Sequence, residues 1–252
     1  MSCKVMGIVN VTPDSFSDGG QFFRPEEAIR RAKNLIAEGA DIIDLGGEST
    51  RPGATPLGWE EEWSRLEPVL AGLVPAIEQS NDPNNRTTLS VDTYHPETAR
   101  RAIDAGVDII NCVYAEPIPE MLKLLEGNDV ELVLPCRPGD ADVGRASEGA
   151  VTDGRLYLDP MIGFGTTREE DVELLRSIPE LAKRGRVLIG ASRKRIVKKL
   201  TGEKVTGKNL GGNLGIAVWA AMNGASVVRV HDVRETVQAL RVIDQLKGEG
   251  GR

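Results

Sequence analysis

Cysteine is nearly missing from this chain, with Cys3, Cys112 and Cys136 alone among 252 residues. An odd, sparse set cannot build the disulfide framework of a secreted scaffold, so a reducing, cytoplasmic setting is expected. Histidine is scarcer still, His95 and His231 only, and no Ser-His or Cys-His nucleophile pattern can be drawn. No stretch nears the ~18 continuous apolar residues of a membrane span. The opening MSCKVMGIVNV has neither the basic region nor the long apolar run of a signal peptide. An excess of positive charge is absent too: 31 Lys and Arg against 38 Asp and Glu give a net charge of −7. That argues against nucleic acid as a partner, because gripping a phosphate backbone needs a basic face. A small phosphorylated ligand needs only one local cluster of cations and is not excluded.

What is present suits a soluble globular protein. Apolar residues make up 40% and charged residues 27% of the chain, enough for a full core and an ordinary surface. The length fits one domain over residues 1–252. Short runs rich in Val, Ile and Leu recur at 4–11, 41–46, 87–92, 107–113, 131–136, 155–160, 186–192 and 226–231. They are apolar on both faces, as strands covered by helices should be. Helical stretches are expected at 25–39, 59–79, 96–105, 117–126, 168–184, 193–201, 212–223 and 234–247. The first opens on Pro25 and places Ala28, Ala32, Leu35 and Ile36 on one face. Gly106, Gly127, Gly185 and Gly224 stand where helices should stop. Eight alternations, with no G-x-G-x-x-G after the first strand, point to an α/β fold of the (β/α)8 TIM-barrel type. One unit is irregular: residues 137–154 are polar and glycine-rich, and an abbreviated helix or an extended connection is expected after strand five.

In such a barrel the C-terminal strand ends build the functional face. Here they carry Asn10, Asp44, Asp92, Asn111, Asp159, Ser192 with Lys194, and Arg229 with His231. A lone aspartate at a strand end is often only a turn former. Seven polar ends on one rim are a different matter, since clustered charges destabilise a scaffold unless they pair or bind something. Only the fifth strand, ending Leu134-Pro135-Cys136, offers little. Cys112 and Cys136 end adjacent strands, and two thiols without a nearby histidine read as small buried residues rather than metal ligands.

Asn10-Val-Thr-Pro-Asp-Ser-Phe-Ser-Asp-Gly-Gly20 and Asp44-Leu-Gly-Gly-Glu-Ser-Thr-Arg-Pro-Gly53 resemble the two signatures of the dihydropteroate synthase family of pterin-binding barrels. The resemblance runs on through Ser90-Val-Asp-Thr93, Ile109-Ile-Asn111, Leu158-Asp-Pro160, Gly163-Phe-Gly165, Ser192-Arg-Lys194 and Arg229-Val-His-Asp232. It implies condensation of 6-hydroxymethyl-7,8-dihydropterin diphosphate with 4-aminobenzoate in folate synthesis, with Mg2+ as cofactor. It also implies a homodimer and a target for sulfonamides. Asp92, Asn111, Asp159, Lys194 and Arg229 match the family's pterin-holding positions. Thr50, Arg51, Pro52, Phe164 and Ser192 match the aminobenzoate side, and Asn10, Arg229 and His231 match the diphosphate site. Asn10 matches the metal contact, Asp44 the electrostatic support, and Lys194, Arg229, His231 and Asp92 the catalytic set. Residues 12–20 have the composition of a loop that closes over a site.

Four departures gather on one side of the implied pterin pocket. The family usually has aspartate where Cys112 stands, and a Met-His-Met-type run where Leu134-Pro-Cys-Arg137 stands. Thr166-Thr167 replaces the usual lysine after Gly-Phe-Gly, and the long helix after strand five is missing. Two rival readings keep the fold: a related pterin-dependent synthase with another arylamine acceptor, and a non-catalytic pterin-binding paralogue.

Overall fold

The structure is a computed structural model that describes residues 3–12, 24–49, 55–79, 87–138, 154–205 and 208–248. Its strands are β1 (Lys4–Asn10), β2 (Ile42–Gly46), β3 (Thr88–Asp92), β4 (Ile109–Asn111), β5 (Glu131–Pro135), β6 (Leu156–Asp159), β7 (Arg186–Ile189) and β8 (Val227–Val230). They form a closed barrel in sequence order. β1 pairs in parallel with β2 on one side and with β8 on the other, which closes the ring. The (β/α)8 expectation holds.

Helices cover the outside: α1 (Pro25–Ala37), α2 (Trp59–Glu78), α3 (Pro96–Asp104), α4 (Ile118–Lys123), α5 (Arg168–Arg176), α6 (Ile178–Ala182), α7 (Arg195–Thr201), α8 (Leu210–Met222) and α9 (Val233–Lys247). The expected face of α1 is the buried one, with Ala28, Ala32 and Leu35 inside and Ile36 at its edge. α2 runs unbroken through Pro68 and Pro75. The single helix expected over 168–184 is two, α5 and α6, parted at Ser177. Pro179 has no N–H to continue the α5 ladder and is accepted in the first turn of a new helix. α4 is shorter than expected, and Gly106 and Gly224 end α3 and α8 with φ of 94° and 98°, in the left-handed region that favours glycine. Strand β4 is also shorter than expected, although the Cys112 amide still donates to the Val133 carbonyl at 2.9 Å. The irregular stretch after β5 lies largely outside the described residues, as does the loop 12–20 beyond Thr12.

Side chains alternate along each strand, so positions two apart share a face. The outward positions, among them Val5, Ile43, Val91, Leu132 and Val228, merge with the helices into the main core. The inward positions form a separate plug of Met6, Ile42, Ile109, Val133, Tyr157, Leu188 and Val227. Two residues further along the same inward faces the chemistry changes. Ile42 gives way to Asp44, Ile109 to Asn111, Tyr157 to Asp159, and Val227 to Arg229. The floor of the barrel is an apolar layer, and the site stands on it. Among the described residues no helix is long and apolar enough to cross a membrane.

Candidate active site at the barrel mouth

Arg229 is the centre of the mouth. Its Nε donates to Asp44 Oδ2 and its Nη2 to Asp92 Oδ2, both at 2.6 Å. Asp44 is fully buried and receives two more hydrogen bonds, from Ser90 Oγ at 2.6 Å and from Asn111 Nδ2 at 3.2 Å. Burial of Arg229 disfavours its charge, but Asp44 and Asp92 outweigh that and hold its pKa above the ordinary range. The guanidinium is thus a fixed cation in a fixed plane. An uncompensated charge at this depth would destabilise by several kcal/mol, so Asp44 is the group that allows Arg229 to stand here. Sequence reading assigned Ser90 no role; its place two residues before Asp92, on the same inward face, was the available signal.

Asp92, Asn111 and Asp159 carry acceptors around this cation. Asp92 and Asn111 are register partners on β3 and β4. Among the described residues nothing donates to the buried Asn111 Oδ1, and a buried acceptor of this kind calls for a donor. Asp159 Oδ1 accepts the Met161 amide at 2.7 Å, and no other hydrogen bond to the Asp92 or Asp159 carboxylates comes from the described residues than those named. Burial pushes the Asp92 carboxyl up to about 7, against the pull of Arg229 and with further help from Asp44. Arg229 stays charged throughout, so the titration of this pair falls on Asp92. Burial likewise raises Asp159, opposed by Lys194.

Lys194 enters from the loop after β7. Its Nζ donates to the Ile162 carbonyl at 2.6 Å and lies 4.3 Å from the centre of the Phe164 ring. Burial lowers it to about 8, resisted by Asp159. Gly190 lies between the two cations: a Cβ there would be in ordinary contact, at 3.9 Å, with both Lys194 Nζ and Arg229 Cδ. The loop after β6 is strained where it meets them: Met161, not glycine, has φ 65°, tied down by the Asp159 carboxylate. Phe164 is only partly buried, beside the lysine, and does not belong to the core. Arg137, just past β5, donates to the Phe164 carbonyl at 2.8 Å, so the fifth strand end contributes more than its Leu134-Pro135-Cys136 suggests.

His231 and Ser192 meet where the loops after β7 and β8 leave the barrel. Ser192 Oγ lies 3.1 Å from His231 Nδ1 and accepts the His231 amide at 3.3 Å. Ser192 therefore stands beside the implied anion residue. Asp232 bonds Arg193 at 2.6 Å and Asn213 at 3.3 Å, fixing the loop that delivers Lys194. Asn10 ends β1 opposite Gly46, partly exposed. Among the described residues no group of three or more His, Cys, Asp or Glu could hold a metal. A cation here would depend on few protein oxygens and on those of its ligand; an amide oxygen such as that of Asn10 fits a Mg2+ that keeps most of its waters. Thr50, Arg51 and Pro52 lie outside the described residues.

The departures have local explanations. Thr166 Oγ1 and the Gly163 amide both bond Asp171 Oδ1, at 2.6 and 2.7 Å, and Thr167 forms a capping box with Glu170 at the start of α5. The two threonines thus brace the Gly-Phe-Gly turn. Cys112 and Cys136 are buried, as expected, and burial raises the Cys112 thiol to about 11.

Residues 6–144 and 136–231 match the family model described as pterin binding enzyme. A relative from Staphylococcus haemolyticus named dihydropteroate synthase is 36% identical over 263 residues, covering 97% of this chain and 95% of that protein. This chain belongs to the dihydropteroate synthases. The dihydropteroate synthase of Escherichia coli strain K12 is likewise 36% identical, over 95% of this chain and 90% of its own length. Among solved structures, the Xanthomonas albilineans dihydropteroate synthase with 4-aminobenzoic acid superposes with a TM-score of 0.84 at 39% identity, covering 98% of this chain and 93% of that one. The same organism's enzyme in complex with 7,8-dihydropteroate gives a TM-score of 0.81 at 36% identity, covering 98% and 94%.

Proposed function

We propose that this chain is a transferase that condenses 6-hydroxymethyl-7,8-dihydropterin diphosphate with 4-aminobenzoate, giving 7,8-dihydropteroate and diphosphate for folate synthesis. The observation that carries this reading is the row of acceptors on Asp92, Asn111 and Asp159 with Lys194 and Arg229 beside it. A pterin presents an amino group and ring N–H donors along one edge, with a carbonyl next to them. Such an edge would satisfy Asn111 Oδ1 and the carboxylates, and the carbonyl would accept a hydrogen bond from Lys194. The flat guanidinium of Arg229, held by Asp44, suits stacking on the ring and contact with an anion.

Bond breaking leaves charge on the departing diphosphate and a cationic methylene on the pterin. Arg229 and His231 would hold the anion, while ionised Asp92, with Asp44 beneath it, favours the cation. Mg2+, which Asn10 would hold, supplies charge neutralisation to the diphosphate oxygens. The arylamine nitrogen attacks the methylene directly once oriented and gives up one proton to the departed diphosphate or to water, so no protein nucleophile is required. Phe164, Ser192 and the segment Thr50, Arg51 and Pro52 border the amine in this reading. One barrel domain spanning the chain, a cytoplasmic location, sulfonamide sensitivity and a homodimer belong to it as well. The exposed apolar side chains Trp219, Met222, Val242 and Leu246 on the packed helices α8 and α9 support the last of these.

The test is diphosphate release with 4-aminobenzoate, compared with Lys194→Ala. Turnover by the parent, with a loss of about 10²-fold or more in the variant, is the expected result. Tight pterin binding by calorimetry without turnover would instead identify a pterin binder, and turnover only with another arylamine would identify the related synthase.

A further inference from the structure

The loops after β7 and β8 are tied together side chain by side chain. Ser192 Oγ lies 3.1 Å from His231 Nδ1 and accepts the His231 amide at 3.3 Å. Arg193 Nη2 donates to Asp232 Oδ1 at 2.6 Å. Asn213 on α8 joins both loops: its Oδ1 accepts the Arg193 amide at 3.0 Å, and its Nδ2 donates to Asp232 Oδ2 at 3.3 Å. Arg193 has φ 60°, in the left-handed region, and its bonds to Asn213 and Asp232 hold it there. Its two neighbours go to different partners, Lys194 to the Ile162 carbonyl and Ser192 to His231. Arg31 on α1 donates to the His231 carbonyl at 3.1 Å. The amide, the carbonyl and the ring of His231 are thus each held.

Counting hydrogens then separates the two ring nitrogens. A serine hydroxyl has one hydrogen and two lone pairs, and a neutral imidazole has one N–H and one bare acceptor nitrogen. Ser192 Oγ already accepts the His231 amide, and among the described residues its hydrogen bonds are to His231 only. If Nδ1 carried the ring proton, two N–H groups would converge on Oγ, and the hydroxyl hydrogen would have no acceptor among these residues. If Nδ1 is bare, the hydroxyl donates to it and both groups are satisfied.

We propose that Ser192 is a positioning residue for the leaving group: its hydroxyl donates to Nδ1 and keeps the proton of neutral His231 on Nε2, as a donor for a diphosphate oxygen. Ser192 then acts on the diphosphate through His231, whereas its match to the family places it on the aminobenzoate side. The inference rests on the reading of His231 as a diphosphate-holding residue.

The tautomer is read by 15N NMR of the ligand-free protein, at a pH above which the imidazole signals no longer move. The chain has two histidines, and His95→Gln identifies the signals of the other one by their loss. The parent should show His231 as Nε2–H, with Nδ1 at the shift of a bare nitrogen that accepts a hydrogen bond. Ser192→Thr should keep that pattern. Ser192→Ala should lose the hydrogen-bonded shift and gain a share of Nδ1–H. Nδ1–H in the parent overturns the proposal, even if a variant does not fold, and so does a Ser192→Ala spectrum identical to the parent's. In turnover, Ser192→Ala should raise the inhibition constant of added diphosphate and KM for the pterin diphosphate about ten-fold, leaving KM for 4-aminobenzoate unchanged. Ser192→Thr should restore both. A raised KM for 4-aminobenzoate with unaltered diphosphate inhibition overturns the proposal and returns Ser192 to the amine. The expected spectra with unaltered diphosphate inhibition uphold Ser192 as the residue that sets the tautomer and count against diphosphate at His231.

Discussion

The floor and the mouth of the barrel are built from the same strands, two residues apart, and behave as opposites. The floor, Met6, Ile42, Ile109, Val133, Tyr157, Leu188 and Val227, is apolar but for one phenol. The mouth above it packs Asp44, Asp92, Asn111, Asp159, Lys194 and Arg229. Stability favours repeating the floor upward, because buried charges at best offset one another. That the chain stops doing so within two residues teaches where it gives up stability for chemistry.

The largest expected break in this contrast is Arg229→Leu. It strands Asp44 without its cation, which should destabilise by about 3–5 kcal/mol. It should also lower kcat/KM about 10²–10³-fold. Adding Asp44→Leu should recover most of the stability in denaturant titrations and none of the activity. A double variant as unstable as the single one would show that the pair does not act as a unit.

The converse change is Ile42→Ala, in the floor. A loss of about 2–5 kcal/mol with KM values almost unmoved is expected, since the cavity opens beneath the site and not in it.

pH sharpens the comparison without mutation. Asp92, raised to about 7, adds stability that is full below the unfolded value near 4 and is lost as pH climbs through 7. Lys194, lowered to about 8, adds stability that is full above about 10.4 and is lost as pH falls through 8. The two contributions are together weakest between about 7 and 8, the range in which both groups are charged. kcat/KM for the pterin diphosphate should therefore be bell-shaped with limbs near those values. Asp92→Asn should flatten the acid limb, and an unaltered limb would assign it elsewhere. The smallest effect belongs to the quiet side of the rim: Cys136→Ala should lose about 1 kcal/mol in thermal unfolding and little activity.

Much of this was legible in the sequence for a physical reason. Strands covered on both faces are apolar throughout, so each one marked itself, and the polar residue ending each run marked the rim. Pro179 is an example of what was missed: its split of α5 from α6 depends on which ladder hydrogen bond is lost, and apolar periodicity does not report that. Ser90 and Arg137 were missed because their partners, Asp44 and the Phe164 carbonyl, are far away in the chain.

The order of elements, the closed parallel barrel and the list of rim residues were set by local pattern, because alternation and helical period act over a few neighbours. The pairing of Arg229 with both Asp44 and Asp92 and the shifted protons on Asp92 and Lys194 were decided only by the tertiary structure. Burial and charge–charge distance govern those properties, and neither exists until strands far apart in sequence stand side by side.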